Sequence, residues 1–213
     1  MAAGDTAAHQ DHHRSGDDDV LRVLRTGTAE EHQRLEDILD LMDPGLGRDR
    51  LALVLGLMHG FWTAAEAGLD EWAARRPADA LTVDWARRRR SALFAADLAT
   101  LDAPVPAAAP ALPTVAGTDE ALGRLYVLEG STLGGTFIDR HLAGLPGLAD
   151  VRVRAFSPYG PETGAMWAAY RRVTRDHVAA GGDVDRILSA ARETFRTLAA
   201  WCRPAGRIQE VRA

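Results

Sequence analysis

The chain has 213 residues, with 25 Lys and Arg against 30 Asp and Glu and a formal net charge of −5 at pH 7. This length suits one domain around a single core, and a composition 46 % hydrophobic and 26 % charged is that of a globular protein rather than a disordered one. The negative balance gives no support to a nucleic-acid partner through bulk electrostatics, and a single cysteine, Cys202, excludes an internal disulfide and a multi-cysteine metal site.

Residues 1–19 are polar and lack periodicity, and they read as a disordered tail. His9, His12 and His13 lie in it without an ordered scaffold to make them a metal site. The tail lacks the apolar centre of a signal peptide. No apolar run is read as reaching the roughly 20 residues of a membrane span, so no membrane partner and a cytoplasmic setting are expected. From Val20 to Arg203 the pattern is that of one helical domain, followed by a tail over 204–213. Leu21, Leu24, Thr28, Leu35, Leu39 and Met42 recur at three and four and predict a first helix ending at Pro44–Gly45. His32 falls on the same stripe. Leu51, Val54, Leu55, Met58, Phe61, Trp62, Ala65, Leu69 and Trp72 predict a second, with Pro77 closing it, and a third is expected over 82–100. The run Arg87–Arg90 reads as a solvated face of that third helix. The segment from Ala103 to Pro113 holds too much proline for a helix interior. A fourth helix starts near Asp119 and is interrupted by Gly130, Gly134 and Gly135. After a loop over 146–161, with isolated β-like runs such as Val151–Val153, two more helices carry Met166 to His177 and Val184 to Cys202. No βαβ alternation appears, and the fold class is all-α.

Two features exceed a plain helical bundle. His32 is a titratable imidazole on an apolar stripe. Taken alone it is compatible with a core histidine or with an axial ligand to haem iron, for which a neutral imidazole is the usual proximal donor. The stretch Tyr126–Gly135, YVLEGSTLGG, places three glycines in a helical context, each costing about 1 kcal/mol relative to alanine. A very close helix crossing and a flat ligand against bare backbone both explain such a stretch. Glu66 and Glu129 lie on or near apolar faces, as di-iron proteins require, but no Glu-x-x-His pair accompanies them.

The segment Leu125–Ile138, LYVLEGSTLGGTFI, resembles the distal-helix signature of bacterial biliverdin-producing haem oxygenases, and Leu24–Glu36, LRTGTAEEHQRLE, resembles their proximal helix. Met58–Trp62, Tyr159–Gly164 and Thr194–Trp201 match in order and spacing, so the likeness spans about 20–203. The resemblance implies a haem oxygenase-like helical bundle that takes haem as both substrate and prosthetic group, uses molecular oxygen, and opens the macrocycle to biliverdin with release of iron and carbon monoxide. It implies His32 as the axial iron ligand, Glu36 as the group on the other ring nitrogen, and a catalytic distal wall of Gly130, Ser131, Gly134 and Gly135. Arg25 and Arg171 match the basic positions that receive the haem propionates, with Tyr126 as a hydroxyl donor near the pocket. An electron donor of ferredoxin or flavodoxin type is implied as partner. Animal members carry an aspartate directly after the first distal glycine, where this chain has Ser131. That departure leaves the proton relay unassigned and keeps a haem carrier or sensor on the same fold as the alternative.

Overall fold

The computed structural model describes residues 19–210, with side chains from Val20 to Gly206. The three tail histidines and all but Asp19 of the expected N-terminal tail lie outside the described residues. The described chain forms the helices α1 (Asp19–Gly27), α2 (Ala29–Leu39), α3 (Arg48–Arg75), α4 (Pro77–Thr82), α5 (Ser91–Thr100), α6 (Thr118–Gly130), α7 (Gly135–Gly144), α8 (Thr163–Ala179) and α9 (Val184–Glu210), with 3-10 turns at Trp85–Arg88 and Gly160–Glu162. No strand occurs among the described residues; Val151–Val153 is coil. The class is all-α.

The centre of the core is α3. Its side chains at Leu51, Val54, Leu55, Phe61, Trp62, Leu69 and Trp72 are almost fully buried, each contributing roughly 1.5–3 kcal/mol of transfer free energy. By length and mean hydropathy, 1.2 over its most apolar 18 residues, α3 is the one described helix that could cross a bilayer, although no such run was expected from the sequence. Here 56 % of that stretch is buried inside the fold, as in the core helix of a folded domain. Helix α5 packs on α3, and α9 runs along α6, α2 and α3. Glycine lets α9 approach closely: a Cβ on Gly123 of α6 would come within 2.3 Å of the Ile187 carbonyl, and one on Gly27 within 2.7 Å of the Leu188 side chain.

Three expectations change. The first stripe is two helices, because the chain breaks at Gly27–Thr28, where the Thr28 hydroxyl donates to the Leu24 carbonyl at 2.7 Å. Helix α2 then stops at Leu39 on Asp40, which takes a left-handed φ of 38°, so Met42 sits in a turn and is 53 % exposed. The helix expected over 82–100 is a short α4 with Pro77 at its start, a 3-10 turn and α5. That change splits the arginine run: Arg88 and Arg90 are 2 % and 1 % exposed, while Arg87 and Arg89 are exposed as expected. The last helix continues through Pro204 to Glu210, beyond the boundary expected at Arg203. The proline-rich segment remains non-helical and lies across α3 as a strap, over glycines that admit it. A Cβ on Gly60 would meet the Ala108 carbonyl at 2.3 Å.

Candidate functional site: a slot between α1, α2, α6, α7 and α8

A cavity of about 1340 Å3 opens between these helices, larger than the roughly 300–1,000 Å3 of most small-molecule sites. His32, Glu36, Arg25, Arg171, Tyr126, Gly130, Ser131 and Gly134, all candidates from the sequence, line it together. Gly135 does not. A Cβ there would sit 2.0 Å from the Phe156 carbonyl, so the missing side chain seats α7 against the following loop instead of shaping the slot. By contrast, a Cβ on Gly130 or Gly134 would meet nothing within 4 Å. That wall is bare main chain facing open space.

His32 is half exposed to the slot, at 55 % of its side chain. Its Nδ1 lies 3.4 Å from Glu36 Oε2, one helical turn on, and its ring stands edge-on to Phe195 at 5.8 Å between centroids. Those two contacts orient the imidazole with Nδ1 turned to a carboxylate, the arrangement that fixes a metal-binding histidine's tautomer. The interior of the slot is apolar, with Leu35, Leu39, Met58, Trp62 and Phe156 contributing, whereas Arg22, Arg25, Arg171 and Arg175 line it from α1 and α8. Arg171 Nε is buried and lacks a hydrogen-bond partner. Burial holds the Tyr126 phenol above its usual pKa, opposed by a hydrogen bond with Thr28 and by the charge of Arg25.

Beneath the glycine wall lies a polar network that sequence reasoning missed. The Ser131 hydroxyl donates to the Leu128 carbonyl at 2.7 Å and accepts from Arg90 Nη2 at 2.9 Å. The Arg90 guanidinium also donates to the carbonyls of Leu128 and Ala155 and lies over the Trp62 ring at 4.8 Å; burial lowers its pKa. Arg88 pairs with Glu129 in full burial, and Glu129 also accepts from the Tyr159 hydroxyl at 2.8 Å. Glu66 caps α5, accepting the Arg90 and Ser91 N–H groups at 2.6 and 2.8 Å. Both glutamates weighed for a di-iron centre are thereby engaged as structural acceptors. Among the described residues no group of three or more His, Cys, Asp or Glu stands close enough to hold a metal ion. The available signal for this network was Trp85 and Phe94 flanking the arginines, an apolar setting unlike a solvated face.

An imidazole oriented by a carboxylate, an apolar slot, a side-chain-free wall and arginines on two helices suit a flat, amphipathic metal chelate with acidic arms. Haem is such a molecule, and the residues present fit it. Comparison with known proteins agrees. The profile of the family described as heme oxygenase matches residues 18–204. The chain is similar to "Heme oxygenase PigA" of Pseudomonas aeruginosa, 34 % identical over 119 residues, covering 55 % of this chain and 58 % of that protein. It is also similar to a "Heme oxygenase" of Xanthomonas campestris pv. campestris, 33 % identical over 144 residues, 67 % of this chain and 82 % of that protein. The chain therefore spans a little over half of the first relative and most of the second. From His32 through the glycine wall to the arginines, the slot belongs to a chain that is a member of the heme oxygenase family.

Proposed function

We propose that this protein is a haem oxygenase that cleaves haem oxidatively to biliverdin, releasing iron and carbon monoxide. The observation that carries this reading is the shared slot, in which an oriented His32 and the bare backbone of Gly130 and Gly134 line the same cavity. When bound, haem supplies the iron that activates oxygen and the ring that is opened. His32 would hold the iron through Nε2 while Glu36 holds Nδ1, which keeps the imidazole turned. Gly130 and Gly134 would face the bound haem with bare main chain, leaving room beside it for a small molecule. Ser131 contributes a hydroxyl already fixed by Leu128 and Arg90. Arg25 and Arg171 receive the propionates, with Tyr126 beside Arg25 as an added donor. Electrons come from a small ferredoxin- or flavodoxin-type protein in the cytoplasm, docking by its acidic surface on the arginine-lined rim.

The test is a hemin titration followed by turnover. The purified protein is expected to bind hemin one to one with a histidine-ligated ferric spectrum, and reductant with oxygen should replace the Soret band with that of biliverdin. His32→Ala is expected to abolish turnover, with added imidazole restoring part of it. A Soret band that survives repeated reducing cycles would favour the second reading, a haem carrier or sensor, which rests on Ser131 standing where animal members carry an aspartate.

A further inference from the structure

Two buried arginines stand behind the glycine wall, and they are neutralised differently. Arg88 pairs with Glu129, the usual arrangement for a buried charge. The Arg90 guanidinium, in a residue 1 % exposed, instead donates to the Leu128 and Ala155 carbonyls and to the Ser131 hydroxyl. It also lies over the Trp62 ring at 4.8 Å. The acids that share this interior are engaged elsewhere. From α3, Glu66 accepts the N–H groups of Arg90 and Ser91 and the Ser91 hydroxyl. From α6, Glu129 takes Arg88 and, from the loop before α8, the Tyr159 hydroxyl. Burial opposes the Arg90 charge while Glu129, Tyr159 and Glu66 support it, and an arginine keeps its proton under such conditions.

These contacts bring the Arg90 charge up to the slot. Ser131 and Trp62 both line the cavity, and Arg90 Nη2 is 2.9 Å from Ser131 Oγ. One hydroxyl therefore separates the guanidinium from the space beside Gly130. The direction of that hydroxyl follows from its neighbours. A guanidinium only donates and a carbonyl only accepts, so Ser131 takes a hydrogen bond from Arg90 and gives its own to Leu128, at 2.7 Å. With its proton committed to Leu128, Ser131 has a lone pair left for the slot. The favourable charge on this side comes from Arg90 behind it.

We propose that Arg90 is a positioning residue for the distal side of the slot: it holds the Ser131 hydroxyl and sets a fixed positive charge behind the bare wall, which favours a small ligand carrying or gaining negative charge beside Gly130 and Gly134. The proposal rests on the haem reading of the slot, because oxygen reduction there builds negative charge. A charge fixed in a buried setting acts more strongly than one in water, and it needs no rearrangement as the opposite charge develops. Placed behind the wall, it leaves open the space that Gly130 and Gly134 provide.

The test compares wild type, Arg90→Met, Arg90→Lys and Ser131→Ala as hemin complexes. Three quantities are read: hemin affinity, azide affinity of the ferric complex, and the C–O stretching frequency of the reduced complex with carbon monoxide. Arg90→Met is expected to bind hemin within about twofold of wild type, since Arg25 and Arg171 lie on other helices. Its azide affinity should fall roughly tenfold or more, the scale of one charge at moderate range. Its C–O stretch should rise, because positive charge near the oxygen end lowers that frequency. Arg90→Lys should restore both, which repair of packing alone does not do. Ser131→Ala should keep azide affinity at or above the wild-type level, because the guanidinium remains, and it keeps the proposal testable if Arg90→Met misfolds. Wild-type azide affinity and C–O stretch in Arg90→Met overturn the proposal, as do Arg90→Lys values no better than those of Arg90→Met. A loss of azide affinity in Ser131→Ala overturns it too, since the hydroxyl would then be the donor. A wild-type protein that binds no hemin overturns the reading of the slot, and the role of Arg90 with it. One that binds hemin but makes no biliverdin overturns the proposed function alone, and the azide and carbon monoxide readouts still decide for or against Arg90.

Discussion

Gly130, Gly134 and Gly135 look alike in the sequence and differ in what a methyl group would meet. Gly134 has right-handed helical angles, φ −78° and ψ −15°, and open space at its Cβ. Gly134→Ala is therefore expected to leave thermal stability unchanged or raise it by up to about 1 kcal/mol, while weakening hemin binding and turnover because the methyl enters the slot. Gly135→Ala should do the reverse first. A methyl 2.0 Å from the Phe156 carbonyl forces α7 and the loop apart, and we expect a loss of about 1–3 kcal/mol, measured by chemical denaturation of the apoprotein. The sequence revealed that this stretch carries an unusual cost. It did not reveal which glycine faces ligand space and which faces backbone, because that depends on Phe156, some 20 residues later in the chain. His32 was legible for the opposite reason: its orienting partner Glu36 lies one turn away on the same helix.

Helix α6 ends at Gly130, and the arginines of the Trp85–Arg88 turn and the residues after it hold its last turn. Arg88 pairs with Glu129 and Arg90 takes the Leu128 carbonyl, both fully buried. Removing one member of such a pair leaves an uncompensated buried charge, so Arg88→Met is expected to cost about 3–5 kcal/mol. Adding Glu129→Leu should recover much of that loss in the same denaturation series. A dense run of arginines normally marks a solvated face, and here a 3-10 turn leaves only Arg87 and Arg89 on the surface. The strap was half legible. Its prolines excluded a helix, but the α3 glycines that receive it were submerged in an otherwise apolar stripe. Arg124 shows how firmly it is tied: the buried guanidinium donates to the Ala65 and Pro113 carbonyls, and burial pushes its pKa down to about 10.

Across the whole molecule, period-3.6 patterning was enough to identify an all-α chain, while the slot came from packing that no local window contains. The pH response of stability follows from two carboxylates set into the fold, Asp97 on α5 and Asp139 on α7. Asp97 and Asp139 both have raised pKa values, with burial the largest cause, so between the ordinary carboxylate value of about 4 and those raised values the native state binds more protons than the unfolded state. Stability contributed by these groups is then full below that window and falls as pH rises through it. Thermal unfolding of the apoprotein should show a shallower decline in Asp139→Asn, where one of the two groups no longer titrates. The slot itself is lopsided in charge, with four arginines on α1 and α8, Glu36 and Asp37 on α2, and Asp40 just beyond its end. A disc bearing two anionic arms on one edge would, on the proposed reading, enter with its arms trailing toward the arginines and its bare edge leading inward. On the proposed reading, that doorway would set which edge of the ring faces the glycine wall.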